Sequence, residues 1–188
     1  MFMSKLLFEF DNNLRQKKKI KIVCGIDETG RGCWAGPLVA SAVILKPDAY
    51  IDGLNDSKKL TESKRFKIES EIKEKSISWA VFEVSPEEID RKGITYANVK
   101  AMQEAAKLCC NKIDCDLDYV DLFIIDQSPC KSLIPYKMLP KADSTSASVA
   151  AASILAKNHR DNIIKKISEI HSEYNFESHN GYINQTHI

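Results

Sequence analysis

No Cys-x-x-Cys pair and no paired His–Cys spacing occurs in the 188 residues. The six cysteines, Cys24, Cys33, Cys109, Cys110, Cys115 and Cys130, therefore indicate neither a zinc site nor a disulfide framework and read as reduced thiols of a cytoplasmic protein. A Gly-Lys-Ser/Thr step is missing, which excludes a Walker loop. The four histidines make no His-Glu-x-x-His and no serine lies in Gly-x-Ser-x-Gly, so hydrolysis by a zincin or a nucleophilic triad has no support. Charge of one sign is also lacking: the net charge of +1 supplies no global field for a polyanion. Any nucleic acid must be held by local clusters such as Arg15–Lys21, Ser57–Arg65 and Ala156–Arg160. Nor is there an apolar run that could span a bilayer, since Lys5 and Glu9 interrupt "MFMSKLLFEF", which also lacks a small-residue cleavage site. No signal peptide and no membrane partner are expected. Internal repeats and low-complexity tracts are absent, and a composition of 44% hydrophobic and 28% charged residues excludes a disordered chain. Residues 1–188 are expected to form a single domain.

What is present alternates between strand and helix. "IKIVCGID" predicts a buried strand ending at Asp27, and "PLVASAVIL" (Pro37 to Leu45) a second one. Thr61 opens a helix to about Lys75 with Phe66, Ile68 and Ile72 on its apolar face, and "SISWAVFEV" follows as a third strand. Ser85-Pro86-Glu87-Glu88 is a helix start, with Ser85 as N-cap and Glu88 closing a capping box. That helix breaks at Gly93 and runs on to about Cys110. "YVDLFIID" (Tyr119 to Asp126) predicts a fourth strand. "PYKMLPKAD" then leads through a short extended piece into the long helix "SASVAAASILAKNHRDNIIKKISEIH". The pattern is α/β with both sheet faces covered.

The chemistry gathers at "CGIDETGRGCWAG", where the acids Asp27 and Glu28 precede a glycine-arginine-glycine turn. Asp27 ends an apolar run, as does Asp126, and Asp143 precedes a small-residue helix able to pack closely on a sheet. An α/β fold collects ligands in this way at one sheet edge. Hard carboxylate oxygens suit Mg²⁺, and four of them suit two ions acting on a phosphodiester. Gly30-x-Gly32-x-x-Ala35 meets the loose dinucleotide fingerprint, but Gly36-Pro37 leads into a strand and the acids would repel a pyrophosphate. "DCDLD" (Asp114 to Asp118) lacks the glycine and glutamate of an EF-hand loop, with Tyr119 and Ile125 in their places, and reads as a solvated loop.

"GIDETGRGCWAGPLVASAVIL", "NDSKKLTESKR", "FIIDQSP", "LPKADSTSASVAAASILAKNHRD" and "NFESHNGY", in this order, resemble bacterial ribonuclease HII from about Ile20 to Tyr182. The resemblance implies a ribonuclease H-like fold: a mixed central sheet flanked by helices, with a small C-terminal helical part over about 160–188. It further implies metal-dependent cleavage of RNA in RNA/DNA hybrids and at single ribonucleotides in duplex DNA, by a monomer using two Mg²⁺ or Mn²⁺ ions. Carried over by residue, Asp27, Glu28, Asp126 and Asp143 would bind the metal. Gly30, Arg31 and Gly32 would read the ribose 2′-hydroxyl, Tyr182 would pack on the next sugar, and Lys58 and Lys59 would contact phosphate, with Lys141 beside the metal site. This chain departs from the family pattern at Gln127-Ser128, where glycine is common, and at Gly93-Ile94, where Asn-Ile is usual. It also ends six residues after Tyr182, where relatives usually continue into another helix. Another ribonuclease H-like nuclease and a catalytically silent hybrid-binding module are the alternative readings.

Overall fold

The computed structural model describes residues 2–18, 20–126 and 136–183. Five strands, β1 (Val23–Thr29), β2 (Leu38–Leu45), β3 (Ser76–Val84), β4 (Leu122–Asp126) and β5 (Tyr136–Leu139), form one sheet in the order β3-β2-β1-β4-β5. β2 is antiparallel to β1 and β3, whereas β4 and β5 run parallel to β1 and to each other, so the sheet is mixed. The helices are α1 (Phe2–Lys18), α2 (Glu62–Lys75), α3 (Pro86–Lys92), α4 (Ile94–Asn111), α5 (Ala147–Ile170) and α6 (Phe176–His179).

Period-two alternation sorts the core onto two faces. Cys24 and Ile26 of β1, Ala40, Ala42 and Ile44 of β2, and Phe123 and Ile125 of β4 bury against Ala101, Met102 and Ala105 of α4. On the opposite face Val43 and Leu45 meet Ala147, Ala150, Ala151 and Ile154 of α5, Ile68 and Ile72 of α2, and Leu7 and Phe8 of α1. The small residues of α5 bring helix and sheet backbones into contact. A Cβ on Gly25 would lie 2.2 Å from the carbonyl carbon of Ser148, so β1 can carry no side chain at that point.

Several expectations change. α1 was not foreseen: its buried residues Ser4, Leu7, Phe8, Asp11 and Leu14 follow helical spacing, but the exposed apolar Met3 and Leu6 blur that stripe in the sequence. Asp11 reaches α5, accepting hydrogen bonds from the Ser148 N–H (2.9 Å) and Oγ (2.7 Å) in its first turn. β1 does not end at Asp27 but stays paired with β2 through Thr29. β4 begins at Leu122, because Leu117–Tyr119 is a 3₁₀ turn and the Asp121 carboxylate accepts the Lys21 and Ile22 N–H groups at 2.8 Å.

In α2, Arg65 rather than Phe66 shares the buried face with Ile68 and Ile72, since positions 65, 68 and 72 align on a helix and 66 does not. Ser85 caps α3, yet Glu88 turns away from the cap to bond Lys100 at 2.7 Å, a charge-assisted contact. Gly93 separates α3 from α4 at φ 84°, ψ 156°, a conformation that favours glycine. Asp114, Asp116 and Asp118 are exposed, as a solvated loop requires. Gln127-Ser128 and Cys130 lie outside the described residues. Among the described residues no helix is long and apolar enough to cross a membrane.

Gly25→Ala should destabilise the protein by about 3 kcal/mol, the upper range for forcing extra carbon into a packed core. A lowered urea midpoint with unchanged slope would show it, and a midpoint like that of the native protein would contradict the backbone contact.

Candidate active site

The carboxylates converge because of strand register. Ile26 pairs with Ile125 across the parallel β1–β4 ladder, so the next step sets Asp27 beside Asp126. Asp126 ends β4, and its Oδ1 accepts the Ala142 N–H at 3.3 Å. That bond ties the strand end to the 3₁₀ turn Ala142–Ser144, which carries Asp143 and leads into α5 through its N-cap Ser146. Asp27 and Asp143 are buried, while Glu28 and Asp126 are half-buried. Burial pushes the Asp27 pKa well above the ordinary carboxylate range, and the neighbouring charges of Glu28, Asp143 and Asp126 push it further. Asp143 is raised by burial and then by Asp56 and Asp126, with Lys58 opposing.

Asp56 is a fifth acid, passed over in the sequence reading. It is buried, accepts the Lys58 N–H at 2.9 Å as cap of the 3₁₀ turn Ser57–Lys59, and interacts with the Asp143 carboxyl. Its signal was an aspartate one residue before Ser-Lys-Lys, the position of an N-cap.

Asp27 and Glu28 open into a cleft of about 620 Å³ whose lining includes Lys58, Arg65, Lys157 and Tyr182. Arg65 and Lys157 are committed to Asp161, at 2.7 and 2.6 Å. Lys58 is exposed beside Asp143. Lys59 and Lys141 do not line the cleft: Lys59 donates to Ser144 Oγ at 3.2 Å, and Lys141 is the left-handed residue (φ 56°) before the Asp143 turn. Both therefore border the turn that holds Asp143.

The Gly30–Gly32 turn leaves β1 and is closed by the Cys33 N–H donating to Gly30 O at 3.1 Å. Arg31 and Gly32 are exposed, and a Cβ on Gly32 would lie only 3.8 Å from Tyr182 Cε1. Turn and tyrosine are thus neighbours, with Tyr182 on the cleft lining. Burial, then the Cys33 thiol, raises the Tyr182 phenol above its usual pKa. The basic cluster "AKNHR" points largely inward, with Asn158 bonded to Arg65 and Glu69 and Arg160 wholly buried. It is scaffold more than surface.

Among the described residues no three acid, imidazole or thiol groups form a preformed metal cage. The donor set nonetheless fits a hard divalent ion. Asp27 lies among Glu28, Asp126 and Asp143, and Mg²⁺ is ordinarily held by one or two carboxylates with waters and substrate phosphate completing the shell.

A family profile described as Ribonuclease HII matches residues 24–188. The ribonuclease HII of Idiomarina loihiensis is 43% identical over 168 residues, covering 89% of this chain and 86% of that protein. Among solved structures, ribonuclease H2 from Pyrococcus horikoshii superposes with a TM-score of 0.71 at 27% identity, covering 87% of this chain and 82% of its own. The RNase HII of Archaeoglobus fulgidus, solved in complex with PCNA, gives 0.67 at 26% identity, with coverage of 87% and 83%.

Because the folded pKa of Asp27 lies above the unfolded value of about 3.9, its favourable contribution is present below that value and lost as pH rises through the folded pKa. In cation-free buffer at neutral pH, Asp27→Asn should therefore stabilise the protein and raise its urea midpoint. The gain should fade as the pH approaches 4. Denaturant titrations at the two pH values check this, and an equal effect at both would exclude the electrostatic cause.

Proposed function

The chain belongs to the ribonuclease HII family, a family of hydrolases acting on phosphodiester bonds, and from that premise we propose its substrate and residue roles. It cuts the RNA strand of RNA/DNA hybrids and the phosphodiester 5′ of a single ribonucleotide in duplex DNA, leaving 5′-phosphate and 3′-hydroxyl ends. It works in the cytoplasm as a monomer whose single catalytic domain includes residues 160–188. The observation that carries this reading is the buried Asp27, which lines an open cleft with Glu28 and feels the charges of Asp126 and Asp143 behind it.

Family members need divalent metal. Here Asp27, Glu28, Asp126 and Asp143 would hold two Mg²⁺ or Mn²⁺ ions, which when bound supply a water activated for attack and charge stabilisation for the departing 3′-oxygen. The protein's own contribution begins with these carboxylates, fixed on two adjacent strand ends and one turn. Asp56 borders Asp143 and restrains the turn on which it sits. Gly30, Arg31 and Gly32 present backbone and guanidinium toward the ribose, whose 2′-hydroxyl is the donor and acceptor that separates RNA from DNA. Tyr182 supplies the opposite wall for the following sugar. Lys58 meets phosphate inside the cleft, with Lys59 and Lys141 outside it.

A gel assay in Mg²⁺ with a duplex holding one ribonucleotide, an RNA/DNA hybrid and an all-DNA duplex tests the assignment. The first two should be cut and the third left intact, with Asp27→Asn inactive on all. Cleavage of all-DNA at an equal rate would refute the ribose-reading role, and binding of every duplex without any cutting would refute the catalytic one. Lys58→Ala should weaken binding across sequences and reduce the slope of log affinity against log salt by about 1. An unchanged slope removes Lys58 from the phosphate contacts.

A further inference from the structure

Arg160 is the largest side chain sealed completely inside the protein, with 0% of its surface exposed. Its guanidinium donates from Nη2 to Ala35 O at 2.8 Å, from Nε to Pro37 O at 3.0 Å and from Nη1 to Asn180 O at 2.9 Å. All three acceptors are neutral backbone carbonyls, drawn from two segments far apart in sequence. One segment continues the Gly30–Gly32 turn into β2; the other immediately precedes Tyr182. Around the guanidinium the two segments bond directly, the Trp34 and Ala35 N–H groups both donating to Gly181 O at 2.9 and 3.3 Å. The packing leaves no slack: a Cβ on Gly30 would sit 2.7 Å from Arg160 Nε, and one on Gly181 would sit 2.5 Å from Ala35 O.

Desolvating a cation to satisfy carbonyls is a poor way to gain stability, because an apolar side chain of similar volume would fill the space without that penalty. A planar fork does offer fixed directions, so three carbonyls bound to one guanidinium cannot move independently. We propose that Arg160 is a positioning residue that sets the spacing between the Gly30–Gly32 turn and Tyr182, and thereby the selectivity for ribose, without touching the substrate. The proposal rests on the ribose-reading roles assigned above to the turn and Tyr182.

The test compares the native protein with Arg160→Lys, which keeps the charge but cannot span three carbonyls, and with Gly181→Ala, which keeps the arginine but wedges Ala35 from Gly181, the added Cβ lying 2.5 Å from Ala35 O and 3.3 Å from Arg160 Nη2. Hydrogen exchange at the Trp34 and Ala35 amides reports the spacing without any substrate. Fluorescence anisotropy gives the ratio of Kd for an all-DNA duplex to Kd for the same duplex with one ribonucleotide. Both variants should lose amide protection, and the ratio should fall about tenfold or more, as expected when a reading group is displaced by a fraction of an ångström to an ångström. In cleavage of the single-ribonucleotide duplex, KM should rise by a similar factor while kcat at saturation stays within about twofold. Retained amide protection in both variants would overturn the coupling. Lost protection with an unchanged Kd ratio would make Arg160 merely structural and also overturn the proposal. A native ratio of one would instead sink the ribose-reading assignment on which the proposal stands.

Discussion

The contact on which the site depends is backbone against backbone, where α5 lies on β1 at Gly25 and Ser148. Twelve residues of helix separate Ser148 from Arg160 and five residues of strand separate Gly25 from Gly30, spans of about 18 Å and about 17 Å. The helix and the strand therefore run together in step, touching at Gly25 and again where Arg160 meets Gly30. Near the first contact the turn that leads into α5 brings Asp143 toward Asp27; at the second α5 anchors the glycine turn. The alanine-rich face of α5 serves both ends at once, since a bulkier helix would lift the acid and the guanidinium away together.

Charge is distributed to oppose itself at one end and to be absorbed at the other. Asp27, Asp143 and Asp56 are buried within reach of like charges, and a polypeptide tolerates this only where a cation or protons relieve it. Arg160, by contrast, has an oxygen acceptor for each of its three nitrogens. Arg65 and Lys157 share Asp161 in the cleft wall. The cleft thus keeps its unrelieved electrostatic stress at the acids, the place where a metal and a phosphate would both be welcome.

Much of this arrangement was legible in the sequence, for physical reasons that differ by residue. The strands and α5 declare themselves through β-branched runs and a small-residue face, and Asp27, Asp126 and Asp143 each terminate an apolar segment. Asp56 showed only the position of an N-cap, and Arg160 gave no sign at all. One looked like a loop residue and the other like part of a surface basic cluster, because what defines them is contact with Asp143 and with Ala35, Pro37 and Asn180 across long stretches of chain. α1 was hidden by apolar residues on its exposed side, and its docking through Asp11 has no local signature. Glu88 shows the complementary failure: a correct local motif outcompeted by a lysine twelve residues away.

The Asp11–Ser148 contact also orders events in time. The two residues are 137 positions apart, and at ribosomal rates the acceptor on α1 exists for on the order of ten seconds before its donor is made. Throughout that interval Leu7 and Phe8 have no α5 to cover them. α1 is thus made long before the helix it docks on, and the growing chain carries an exposed apolar stripe that a chaperone could hold until α5 arrives.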